Sequence, residues 1–170
     1  MVLTGGNILT PAGVFEHLDI AIDGSKILKV GQLPEQGQNL TGYYIVPGLI
    51  DLHIHGAAGD DFSSGQFQQA ASYLARRGVT SFCATIMSLK PKALQSAVRT
   101  ACHFTADQQM AQLVGISLEG PFLSPEKCGA QHPDALQLPE PELIQQLSQI
   151  AGGKLRMITI APELPGAIDC

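Results

Sequence analysis

The stretch Ile45-Val46-Pro47-Gly48-Leu49-Ile50-Asp51-Leu52-His53-Ile54-His55 decides the fold. Its apolar run reads as a β-strand, and strand side chains alternate with a period of two, so His53 and His55 point to one face. Two imidazoles leaving a strand end in parallel are placed as ligands of a single ion require, and neutral imidazole suits zinc and related divalent ions. Five histidines in 170 residues also produce such pairs by chance. The weight of this one comes from its position, at the end of a hydrophobic strand and directly before the loop Gly56-Ala57-Ala58-Gly59.

Downstream, strand and helix patterns alternate. Phe67, Ala70, Ala71 and Leu74 follow helical i, i+3, i+4, i+7 spacing, and Gly78 stops that helix. Val79 to Thr85 reads as the next strand, and Pro91 opens a helix with Leu94, Ala97, Val98 and Ala101 on one face. A third strand runs from Leu113 to Leu118, a helix over Pro141–Ile150 carries Leu143, Ile144, Leu147 and Ile150 inward, and Leu155 to Ile160 is a fourth strand. Repeated strand–helix alternation means parallel strands joined by crossover helices, as in α/β barrels and open α/β sheets. In both architectures sites form beyond the strand ends, where His53, His55, Thr85, Glu119 and Glu163 fall.

Upstream, residues 1–44 read as a small β unit and residues 45–170 as the α/β unit. Ile20 and Ile22 lead into Asp23-Gly24, a favoured two-residue hairpin turn, and Ile27 to Val30 returns.

The composition is globular, 45% hydrophobic and 15% charged, with no tryptophan. A net charge of −5 argues against nucleic acid or an anionic membrane as the main partner. The N-terminus Met1-Val2-Leu3-Thr4-Gly5-Gly6 lacks the basic start and apolar block of a secretory signal. Cysteines 83, 102, 128 and 170 form no C-x-x-C, so reduced thiols in a cytoplasmic protein are the expectation. Lys127 beside Cys128 would favour the thiolate, but an inert cysteine is the simpler reading.

Glu119 ends an apolar strand and is followed by Gly120-Pro121. A carboxylate in that setting needs a cation or it stays protonated. A salt bridge to Lys127 or an arginine would serve; so would a metal ion shared with His53 and His55. Two histidines and one glutamate make a three-ligand set with a position left for water, suiting zinc, iron or manganese.

The run from Ile45 to Gly56, with Leu118-Glu119-Gly120-Pro121-Phe122-Leu123 and Lys127-Cys128-Gly129-Ala130-Gln131, resembles the N-acetylglucosamine-6-phosphate deacetylase family of the amidohydrolase superfamily. Gly6-Asn7-Ile8-Leu9-Thr10-Pro11 and Ile160-Ala161-Pro162-Glu163 match its pattern as well. The resemblance implies a (β/α)8 TIM-type barrel, of which this chain holds about the first four β/α units, preceded by part of a small β-sandwich. It implies hydrolysis of the acetamido group of an amino-sugar 6-phosphate to acetate and a free amine. Glu119 would be the principal metal ligand, His53 and His55 would serve a second metal where two are bound, and Ala130 and Gln131 would contact the sugar. Many relatives carry histidine where Gln131 stands; His132, next door, reads as a solvated loop residue.

The family's catalytic aspartate follows its eighth strand, and two further metal-binding histidines follow the fifth and sixth; by that pattern they lie beyond Cys170. His17 and His103 fall in the β unit and in a helix, where neither substitutes. The expectation is therefore the N-terminal half of a deacetylase, a homodimer at full length, with weak metal binding and little turnover alone. Three alternatives stand beside it. They are an N-acetylgalactosamine-6-phosphate deacetylase, an amidohydrolase of cyclic amides, and a non-catalytic half-barrel that self-associates or binds a sugar phosphate.

Overall fold

A computed structural model describes residues 1–34 and 36–170. The chain forms two compact units, Met1–Pro47 and Gly48–Cys170.

In the first unit, β1 (Val2–Leu9), β2 (Phe15–Asp23) and β3 (Lys26–Gly31) form an antiparallel meander. Two short strands, β4 (Gln38–Asn39) and β5 (Tyr44–Ile45), add to β1 in parallel. The described residues of this unit thus make a single five-stranded sheet, with Ile8 and Ile20 buried. The β2–β3 hairpin turns one residue later than Asp23-Gly24: Asp23 pairs with Lys26, leaving Gly24-Ser25 as the loop. Gly24 takes φ 53°, which a first loop residue of the primed hairpin turns requires. Asp19 staples the unit by accepting from the amides of Gly5 (2.8 Å) and Leu33 (3.0 Å).

The second unit is a four-stranded parallel sheet in the order β6 (Leu49–Ile54), β7 (Val79–Ile86), β8 (Gln112–Glu119), β9 (Leu155–Thr159). The connecting helices are α1 (Gln68–Arg76), α2 (Pro91–His103) and α3 (Pro141–Ile150). Helices α1 and α2 bury the stripes their spacing predicts, Ala70, Ala71 and Leu74 and then Leu94, Ala97, Val98 and Ala101. By contrast, α3 buries Leu143 and Leu147 and leaves Ile144 and Ile150 of its expected stripe only partly buried. The three helices pack with Phe82, Ala84 and Ile86 of β7 and Leu113, Ile116 and Leu118 of β8. A stack of Phe62 on Phe67 (5.0 Å) and Phe82 (5.3 Å) seals that layer. By the strand period, Cys83 and Thr85 of β7 and Ser117 and Glu119 of β8 project from the opposite face.

The run from Ile45 to His55 is not one strand. Ile45 pairs with Ile8 in the first sheet, and the sheet strand of the second unit starts at Leu49. Pro47 has no amide proton to give a ladder. A Cβ on Gly48 would meet the Thr80 side chain at 2.1 Å. The boundary between units accordingly falls after Pro47 rather than after residue 44. The four parallel strands form an open sheet whose edge strand β6 leaves Leu49, Ile50 and Leu52 exposed.

Candidate metal centre

Strand register, not sequence proximity, assembles the site. β6 and β8 both flank β7 in parallel, so their C-terminal ends lie on the same side of the sheet. Ile54 aligns with Ala84, and Thr85 with Ser117, which brings His55, one residue past β6, beside the end of β8. His53 Nε2 stands 3.5 Å and His55 Nε2 2.9 Å from the same oxygen, Oε2 of Glu119. The imidazoles meet edge to face with centroids 5.0 Å apart. One ligand atom from each of His53, His55 and Glu119 lies within 4.8 Å of the other two.

Ligand atoms about 2.1 Å from a tetrahedral zinc sit roughly 3.4 Å apart. The two Nε2–Oε2 separations, 3.5 and 2.9 Å, bracket that value. The two histidine–glutamate separations suit a shared ion, and two imidazole nitrogens with one carboxylate oxygen are the donor chemistry of a borderline divalent ion. Side-chain exposures of 52%, 38% and 30% leave His53, His55 and Glu119 each partly open to solvent. Among the described residues, Glu119 makes its ion pairs with these histidines, and neither Lys127 nor an arginine reaches it.

His55 Nδ1 is buried without a hydrogen-bond partner, as are the hydroxyls of Thr85 and Ser117. Thr85, singled out from the sequence as a polar strand-end residue, is thus fully buried beside Ser117 and points to the site face. Glu163, the other such residue, is exposed in the turn after β9. The Cys83 thiol is pushed up, first by burial and also by the Asp51 carboxylate, against an opposing pull from Arg156.

Ala130 and Gln131 are adjacent but face opposite ways: Ala130 is exposed and Gln131 is 5% exposed. Gln131 Oε1 accepts from the Ser88 amide at 2.8 Å. Ser88 Oγ in turn donates to the Glu119 carbonyl at 2.9 Å. This chain of contacts was not legible in the sequence. Its only trace was a serine shortly after an apolar strand end. His132 is exposed, with Nδ1 accepting from the Asp134 amide at 3.3 Å, in keeping with a solvated loop residue. Asp60 caps α1 from outside the helix, accepting from Gln69 (2.7 Å) and Ala70 (3.0 Å).

A parallel α/β unit with a His-x-His pair and a glutamate converging beyond the strand ends has the layout of a metal-dependent hydrolase. The comparisons with known proteins say which class. The description "Amidohydrolase family" matches residues 44–168, and the chain belongs to that family. It is 29% identical to an N-acetylglucosamine-6-phosphate deacetylase of Lysinibacillus sphaericus over 99% of this chain and 46% of the relative. It is 28% identical to an N-acetylgalactosamine-6-phosphate deacetylase of Escherichia coli, over 99% of this chain and 46% of that protein. Among solved structures, a mutant N-acetyl-D-glucosamine-6-phosphate deacetylase of Mycobacterium smegmatis in complex with N-acetyl-D-glucosamine-6-phosphate superposes with a TM-score of 0.89. The two are 31% identical, over 99% of this chain and 45% of that one. The chain spans about half the length of the curated relatives it matches across nearly all its residues.

Proposed function

We propose that these residues form the metal-ligand half of an amide hydrolase that removes acetate from N-acetylglucosamine 6-phosphate. The observation that carries the reading is the convergence of His53, His55 and Glu119 on one point in a chain of the amidohydrolase family. The similarity to deacetylases of both epimers supports an N-acetylated amino-sugar 6-phosphate as substrate class. The four β/α units are read as the first half of a (β/α)8 barrel, and residues 1–47 as part of the small β domain that precedes it. A homodimer in the cytoplasm is the accompanying expectation.

In this reading His53 and His55 offer Nε2, and Glu119 offers Oε2, to zinc, iron or manganese. When bound, the ion supplies Lewis acidity toward the acetyl carbonyl and lowers the pKa of water. Glu119, the residue shared by both histidine contacts, holds the centre together. The open side of the cluster admits the acetamido group. Ala130 and Gln131 are read as contacting the sugar, Ala130 as an exposed residue and Gln131 from a side chain whose Oε1 accepts from the Ser88 amide and so ties their loop down. The cluster contains no further carboxylate, so proton transfer to the leaving nitrogen falls to a group outside it.

The test is a chimaera in which residues 1–170 replace the matching half of the Mycobacterium smegmatis enzyme. Metal-dependent acetate release, lost in Glu119→Gln, is expected, and the ratio of rates on the two epimers assigns the sugar. A folded, metal-loaded chimaera that releases no acetate from either would refute the reading. One observation favours a second possibility, self-association without turnover: Leu49, Ile50 and Leu52 of edge strand β6 are 60%, 63% and 61% exposed. Light scattering on the purified chain distinguishes a monomer from an assembly.

A further inference from the structure

We propose that Ser88, locked in place by Gln131, is a positioning residue that holds Glu119 in its ligating geometry; this rests on the metal-site reading above. Ser88 and Gln131 are 4% and 5% exposed, so both bonds of the link are sheltered from water. Gln131 Oε1 accepts from the Ser88 amide at 2.8 Å, which fixes the backbone just beyond β7. Ser88 Oγ then donates to the Glu119 carbonyl at 2.9 Å. On the other side of the same peptide unit, the Gly120 amide donates to the Thr159 carbonyl at 3.2 Å. The peptide that follows Glu119 is therefore gripped on one side by the segment just past β7 and on the other by β9, and the Glu119 Cα is fixed with it.

Space has been kept for this grip. Gly120 adopts φ 89°, and a Cβ there would meet Ser88 Oγ at 2.2 Å. Only a glycine leaves the hydroxyl room to reach the Glu119 carbonyl. Because Gln131 adjoins the exposed Ala130, the same two hydrogen bonds tie the loop after Gly129 to the backbone of Glu119, whose side chain pairs with His53 and His55. Loss of polar groups that orient metal ligands weakens metal affinity even when the ligands remain.

A purely structural role would lower stability and leave the metal centre alone, so the readouts must concern the centre. Zinc affinity by chelator competition, normalised to folded protein, and the visible absorption of the cobalt form are measured for Ser88→Ala, Ser88→Thr and Gln131→Leu. Ser88→Ala and Gln131→Leu are expected to bind zinc about 10–100-fold more weakly with an altered cobalt spectrum, and Ser88→Thr to stay within about threefold of the parent. Affinity unchanged in Ser88→Ala despite lower stability overturns the proposal. A second measurement needs no metal. In crystal structures of the metal-free variants, the His55 Nε2–Glu119 Oε2 separation, 2.9 Å in the parent, should open in Ser88→Ala and be kept in Ser88→Thr. If it stays closed in Ser88→Ala, the proposal fails. If the parent takes up no zinc, the metal-site reading falls by itself and the separation still decides the role of Ser88.

Discussion

Replacing Gly120 by alanine tests the backbone on which the site depends. Gly120 has φ 89°, and holding an L-residue in the left-handed region costs about 1–2 kcal/mol. The added Cβ would also lie 2.2 Å from Ser88 Oγ and 3.2 Å from Leu123 Cγ. The hydroxyl has to leave, which forfeits its bond to the Glu119 carbonyl at about 1 kcal/mol. The sum is about 2–3 kcal/mol, read as a lowered urea midpoint by far-UV circular dichroism. Gly129→Ala is the control: Gly129 has φ 60°, yet nothing lies within 4 Å of the position its Cβ would take. It should lose only the conformational part, about 1–2 kcal/mol. If Gly120→Ala costs no more than Gly129→Ala, the contact with Ser88 carries no energy and the account of the Glu119 peptide is wrong.

Three further outcomes follow from the same structure. Glu119→Gln removes the charge that both imidazoles face while keeping the side chain's shape, and should weaken zinc binding by more than about 100-fold, beyond what loss of an outer-shell partner produces; chelator competition measures it. Phe62→Ala empties the centre of a fully buried aromatic stack and should cost about 3–5 kcal/mol in urea unfolding. The third concerns acid. Hydrogen bonds from the Leu33 and Gly5 amides hold the Asp19 carboxyl below the usual carboxylate range. Because its folded pKa is depressed, its stabilising contribution is fully present above the unfolded value of about 3.9 and disappears as pH falls through the folded one. Protection of the Gly5 and Leu33 amides relative to their intrinsic exchange rates should fall across that acidic window in the parent, and be low at all pH values in Asp19→Ala.

Helices, hairpin and strand boundaries are not equally legible in the sequence. The stripes of α1 and α2 could be read residue by residue, because amphipathic spacing is a local property and the sheet buried the faces it marked. The hairpin was foreseen, but its loop was displaced by one residue, since register is set by pairing along β2 and β3 rather than by the turn residues alone. The Ile45–His55 run reads as one strand by hydrophobicity. It divides at Pro47-Gly48 because Ile45 finds its partner on β1 and Leu49 finds its partner on β7. Hydrophobicity marks the run as strand and is silent on which sheet receives each part of it.

The sequence by itself determined which side chains are equipped to ligate: two imidazoles two residues apart at a strand end, and a carboxylate ahead of Gly-Pro, each a statement about neighbours along the chain. Only the tertiary structure decided that His53 and His55 face one oxygen of Glu119, at 3.5 and 2.9 Å, and that Gln131 turns inward to hold Ser88 beneath it. Those contacts join segments far apart in the chain. They are fixed by the pairing of β6, β7 and β8, which no local pattern encodes.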